Sequence, residues 1–293
     1  MTDDHDAAYD TMKLPGLFGR LGKELLLSLD LARDAGTEVV RLRGGELDVE
    51  MKSGNEPVTV ADKRASEIIV RGIRAQFPDD VIVSEESPQL PERLDPSSHR
   101  LWLVDPIDGT KDYIRGWDGF SVMIGLVVDG KPQLGVVHQP TLSRTFFASP
   151  EGAFVARGGT VTAISVSAVA TAADARMVSS QSHRSQDLDR VKSTLGISDE
   201  QQIGSVGVKL ALIASGERDL YVNPSSRTKA WDTCAPEAIL VRAGGRVTDL
   251  FGTPYDYIGE LARTRGLVAS NGHVHDEVIG KVGPMFERFK QPT

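Results

Sequence analysis

The chain has 293 residues, 40% hydrophobic and 25% charged, with a formal net charge of −8 and a single cysteine, Cys234. Its length suits one large domain or two smaller lobes sharing a cleft. The acidic balance argues against binding a nucleic acid polymer or an anionic membrane, since either normally needs a basic face.

One cysteine allows no intrachain disulfide. The opening MTDDHDAAYD is acidic and polar where a signal peptide is basic then apolar, and no run of about 18 apolar residues is present to span a bilayer. A cytoplasmic protein is therefore expected. If its substrate is anionic, cations must supply the attraction.

Taken in chain order, residues 17–43 carry apolar groups at helical spacing (Leu17, Leu21, Leu25, Leu29, Ala32, Val39) and end on Gly44-Gly45, which predicts a long amphipathic helix. A second helix is predicted over 61–76, with Ile68, Ile69, Ile73 and Phe77 on its apolar side. The period then changes to strands at 81–83, 101–104, 121–128 and 133–138, and Asp129-Gly130 predicts an antiparallel hairpin between the last two. Beyond about Val166 strands and helices alternate: strand 176–179, helix 188–195, helix 205–214, strand 220–222, helix 235–243, strands 246–249 and 267–269, and a final helix. An α+β first half followed by an α/β second half implies two layered lobes, residues 1–165 and 166–293, with a site between them.

In VDPIDGT a strand delivers Asp105, Pro106 stiffens the exit and removes a donor, and Asp108 follows three residues on. Gly109-Thr110 opens a short helix whose free amides suit an anion. Paired carboxylates beside such a cradle are what Mg²⁺-dependent phosphoryl transfer requires, although an Asp-rich turn with Asp108 capping a helix reads the same way. Glu85 and Glu86 in IVSEES end another short strand, where two adjacent acids repel unless exposed or bridged by a cation. Asp62 falls in the first turn of the second helix, and Asp232 lies just before an apolar helix, where it reads as an N-cap. Cys234 reads as a small buried residue, not a nucleophile. Each acid stands where a strand ends or a helix begins, the places where folded chains assemble sites.

The ordered set PVTVAD, SEES, DPIDGT, then WDTCAPE followed by AGG resembles the inositol monophosphatase superfamily of lithium-sensitive, Mg²⁺-dependent phosphatases, from about Glu56 to Asp249. Within it, DPIDGTKDYIRG, GSVGVK and WDTCAPEAI look most like the 3'(2'),5'-bisphosphate nucleotidases, the Thr233-Cys234-Ala235 variant after WD included. The resemblance implies a layered αβαβα sandwich and two or three Mg²⁺ per site. Glu85, Asp105 and the Ile107 carbonyl would hold one, and Asp105, Asp108 and Asp232 a second. A looser third would lie near Glu85, with Asp62 behind its waters. Thr110, bonded to Asp62, would orient the attacking water, and the amides of Gly109 and Thr110 would hold the phosphate.

On the substrate side the resemblance implies that Ser182 and His183 contact the nucleotide, and Ser205 and Lys209 its second phosphate or ribose, with Lys229 adding charge. Three of these also have an ordinary structural reading: Ser205 as an N-cap, Lys209 as a solvated helix residue, His183 in a surface loop. The expected activity is removal of the 3'-phosphate of 3'-phosphoadenosine 5'-phosphate, inhibited by lithium, in a monomer or homodimer. The alternative activity is that of an inositol phosphatase using the same metals. Two other readings are a catalytically dead phosphate sensor and a Ca²⁺-binding turn, the latter lacking the dense oxygen spacing of an EF-hand loop.

Overall fold

A computed structural model describes residues 19–45, 49–52, 56–91, 93–95, 98–181 and 186–290. Seven helices are present among them: α1 Gly22–Arg43, α2 Val60–Gln76, α3 Thr110–Ile114, α4 Gln186–Leu195, α5 Val206–Ala214, α6 Ala230–Arg242 and α7 His275–Val282. Leu17, placed by the periodicity in the first helix, lies outside the described residues. None of the described helices is long and apolar enough to cross a membrane.

The larger sheet has seven strands in chain order, β1 Val81–Ser84, β2 Arg100–Asp108, β3 Ser121–Val128, β4 Lys131–Gln139, β5 Arg144–Ser149, β6 Gly152–Arg157 and β7 Thr160–Ala163. β1 runs parallel to β2, and every later pair is antiparallel. The smaller sheet is built from β8 Met177–Ser180, β9 Glu200–Ile203, β10 Leu220–Asn223, β11 Arg246–Thr248 and β12 Leu267–Ser270, in the order β9-β8-β10-β12-β11. β9, β8 and β10 are parallel, and β12 is antiparallel to both its neighbours.

The layering follows from the two-residue alternation of buried strands. In β3, Val122, Ile124 and Leu126 face α1 and α2, joining Leu25, Leu29, Ile69 and Ile73 in one core. Met123 on the opposite face joins Val208, Leu212, Ala235 and Ile239 of α5 and α6, with Val178, Tyr221 and Ala269 from the second sheet. The far face of that sheet packs Met177, Leu220 and Val222 against Leu188 and Val191 of α4 and Val278 and Val282 of α7. The result is a five-layer αβαβα sandwich.

Three departures from the sequence reading bear on the site. β2 does not stop at Val104 but continues through Asp108. Its register against β3 shifts between Asp105 (opposite Met123) and Asp108 (opposite Ser121), so β2 carries one extra residue there. Pro106 has no amide to give the ladder, which accounts for a bulge at that point. The helix expected at 235–243 begins at Ala230 with Lys229 as its N-cap, so Asp232 is its third residue, three positions past the N-cap. β5, β6 and β7 extend the larger sheet beyond the expected hairpin.

Helix α6 reaches the sheet through two paired glycines, Gly125 and Gly135. A Cβ on Gly125 would stand 2.6 Å from Cys234 Sγ, and one on Gly135 only 2.0 Å from the Ala235 carbonyl oxygen. The helix backbone therefore lies directly on the sheet, and its first turn is carried to the end of β2.

Candidate active site

The bulge in β2 brings two carboxylates to the edge of one cavity. Asp105 is 2% exposed and Asp108 7%. Glu85 follows β1 directly, and its amide donates to the Val104 carbonyl at 3.0 Å, so Glu85 and Asp105 both stand just past the last paired residues of the parallel strands, Ser84 and Val104. From α6, Asp232 accepts the Lys229 amide at 2.7 Å. These four acids border a cavity of about 580 Å³ together with Ile107, Gly109 and Thr110, while Ser180, Leu188, Tyr221, Asn223 and Arg227 form part of its other wall.

Asp62 is fixed by its own helix start. Its Oδ2 accepts both the amide and the hydroxyl of Thr59, each at 2.7 Å, and its Oδ1 accepts from Thr110 Oγ1 at 3.3 Å. The Thr110 hydroxyl also lies 2.9 Å from the Ile107 carbonyl oxygen. The Thr59–Asp62 spacing is a capping-box signature visible in TVAD. Thr59 is a site residue that the motif could have supplied and that the sequence reading passed over.

Burial pushes the Asp105 carboxyl well above its ordinary range, and the neighbouring charges of Glu85, Asp108, Asp232 and Asp62 push it further. Asp108 is also raised by burial, against the pull of Lys209, the Ser205 hydroxyl and the first amides of α5. Its Oδ2 accepts Ser205 Oγ at 2.5 Å and the Gly207 amide at 2.7 Å. Asp105 Oδ1 is buried without a hydrogen-bond partner. Hard carboxylate oxygens of like charge, one of them orphaned in the interior, are a donor set that fits a divalent cation such as Mg²⁺. Among the described residues no three such groups are already gathered in metal-holding geometry, and Asp62, Asp108 and Asp232 each have an oxygen occupied by protein donors.

Gly109 has φ of 91°, and a Cβ there would meet the Gly119 carbonyl oxygen at 2.9 Å and the Ser205 amide nitrogen at 3.0 Å, so no side chain fits on either count. Ser205 is the N-cap of α5 and fully buried: its hydroxyl donates to Asp108, accepts the Val208 amide at 2.9 Å and lies 2.9 Å from Ser121 Oγ. Lys209 is also buried, not solvated. Its Nζ donates to the Gly204 carbonyl at 2.8 Å and lies over the Tyr221 ring, and burial pulls its pKa down to about 8. Ser182 and His183 lie outside the described residues. Cys234 is buried, with its thiol pushed up by that burial.

The carboxylate-rich cavity of this layered αβαβα fold lies where strand ends and helix starts meet, the usual place for a small-molecule site. The chain belongs to the inositol monophosphatase family, whose model matches residues 23–284. It is 38% identical over 232 residues to the 3'(2'),5'-bisphosphate nucleotidase CysQ of Escherichia coli, covering 78% of this chain and 91% of that protein. It is 32% identical over 265 residues to a fructose-1,6-bisphosphatase/inositol-1-monophosphatase of Thermotoga maritima, covering 89% and 96%. A solved IMPase of Thermotoga maritima superposes with a TM-score of 0.77 at 30% identity over 91% of this chain and 99% of that one.

Proposed function

We propose that this phosphatase removes the 3'-phosphate of 3'-phosphoadenosine 5'-phosphate, giving AMP and phosphate, with Mg²⁺ as its cofactor. The observation that carries the metal chemistry is the orphaned, buried Asp105 oxygen among Glu85, Asp108, Asp232 and Asp62. The substrate choice is supported by the higher identity to a nucleotidase, 38% against 32% to an inositol and fructose phosphatase.

Glu85, Asp105 and the Ile107 carbonyl would hold one Mg²⁺, Asp105, Asp108 and Asp232 a second, and Glu85 with Asp62 a looser third. Bound there, the cations neutralise phosphate oxygens and lower the pKa of the attacking water. The protein's own part is positioning. Thr59 occupies Asp62 Oδ2 and leaves Oδ1 turned to Thr110, whose hydroxyl would swing its proton from the nearer Ile107 carbonyl to Asp62 while accepting one from a water in the cavity. The amides of Gly109 and Thr110, both of which line the cavity, would hold the phosphate. Arg227 and Lys229 also line the cavity and would give a second phosphate the local attraction that a chain of net charge −8 lacks overall.

The test is phosphate release with Mg²⁺ present. The expected kcat/KM is at least about tenfold higher for 3'-phosphoadenosine 5'-phosphate than for inositol 1-phosphate. A preference for the inositol ester would overturn the substrate assignment and leave the metal site standing.

A further inference from the structure

Gly204, in the loop between β9 and α5, is gripped at both of its backbone ends by opposite charges. Its amide donates to Asp112 Oδ2 at 2.9 Å, and its carbonyl oxygen accepts from Lys209 Nζ at 2.8 Å. Asp112 and Lys209 are 0% and 1% exposed. The grip is tight: a Cβ on Gly204 would stand 2.5 Å from Asp112 Cγ and Oδ2, and one on Gly119 2.2 Å from Asp112 Oδ2. The next amide, that of Ser205, donates to the Gly119 carbonyl at 2.8 Å.

Asp112 belongs to α3, four residues after Asp108, whereas Gly204 belongs to the other half of the chain. Fixing Gly204 therefore fixes α5 against the Asp108 loop. What that delivers is the Ser205 hydroxyl and the Gly207 amide to one oxygen of Asp108. A buried carboxylate and a buried ammonium need partners, and here Asp112 Oδ2 and Lys209 Nζ are both bound to the same residue, while Asp112 Oδ1 is buried with no hydrogen-bond partner.

We propose that Asp112 and Lys209 are positioning residues, a charge clamp on Gly204 that orients the Asp108 carboxylate through the first turn of α5. The inference rests on Asp108 being a Mg²⁺ ligand. It also gives Lys209 a role apart from substrate contact.

The experiment measures Mg²⁺ binding by calorimetry alongside kcat and KM for Asp112→Ala, Asp112→Asn, Lys209→Met and the double variant Asp112→Asn/Lys209→Met. The double variant keeps volume and removes both charges of the clamp together, so it reports even where a single variant fails to fold. Asp112→Ala, Lys209→Met and the double variant are each expected to weaken Mg²⁺ binding by at least about tenfold, with KM at saturating Mg²⁺ within about threefold of the parent, the order of one to two lost hydrogen bonds. Asp112→Asn, whose amide oxygen still accepts the Gly204 N–H, is expected to stay within about threefold. Unchanged Mg²⁺ binding in Asp112→Ala or in the double variant, or a raised KM with normal Mg²⁺ binding in Lys209→Met, would overturn the clamp. Asp108→Asn separates the two levels: Mg²⁺ binding like the parent's there would overturn the ligand assignment itself.

Discussion

Burial and four neighbouring acids all disfavour the charge of Asp105. Asp105→Asn keeps the shape and removes the charge. Turnover is expected to fall at least about a thousandfold, since a shared cation ligand is lost. The metal-free variant should melt above the metal-free parent, by roughly 2–4 °C for each kcal/mol of repulsion relieved, while the rise in melting temperature on adding Mg²⁺ should disappear. Phosphate release and melting curves with and without Mg²⁺ check this, and parent-like turnover would contradict the ligand assignment. At this scale the sequence was informative about identity and less so about posture. Asp62, Glu85, Asp105, Asp108 and Asp232 could all be picked out as acids at element ends. That Ser205 points its hydroxyl at Asp108, and that Lys209 is buried against Tyr221, depend on how α5 docks, which no local pattern encodes.

Helix α6 shows why element boundaries were harder to read than element types. The helix expected from Ala235 begins five residues earlier, and Pro236 is the seventh residue of α6, where its missing N–H releases the carbonyl of Asp232 from the helical ladder. The packing that seats this helix is written in Gly125 and Gly135, but only once β3 and β4 are in register do those glycines stand side by side. Gly135→Ala forces a methyl toward the Ala235 carbonyl, 2.0 Å away. It is expected to destabilise the fold by about 1–3 kcal/mol and to lower kcat as Asp232 is displaced. A Cβ on Gly280 of α7, by contrast, would meet no neighbouring heavy atom within 4 Å. Gly280→Ala should therefore leave kcat alone and raise stability by roughly 0.5–1 kcal/mol through helix propensity. Urea titrations and kcat for both variants check the contrast; a Gly135→Ala protein as stable and active as the parent would remove the close-packing argument.

At the scale of the whole molecule, two histidines and one glutamate in three separate layers have their charged forms disfavoured by burial. His138, bonded to Thr145 and packed on Gly36 of α1, and His275, held between Ser270 and Thr248, are both pulled down to about 4 by burial. Glu237 of α6, bonded to the Tyr257 hydroxyl, is pushed up to about 7 by burial, against Tyr257 and Arg263. The signs oppose. Each histidine binds a proton in the unfolded chain that the fold excludes, so its contribution is lost as pH falls from 6.5 toward 4. Glu237 is protonated in the fold and ionised when unfolded, so its contribution is present below 4.5 and lost as pH rises through 7. Glu237→Gln preserves an oxygen to accept the Tyr257 hydroxyl and removes that titration. The stability of the variant relative to the parent should therefore rise between about pH 4.5 and 7.5 by about 3 kcal/mol, the equivalent of the shift from 4.5 to about 7. Comparing the two proteins in urea at each pH cancels the groups they share, the cavity acids included. A difference that stays flat across that range would show that Glu237 is ionised in the folded core.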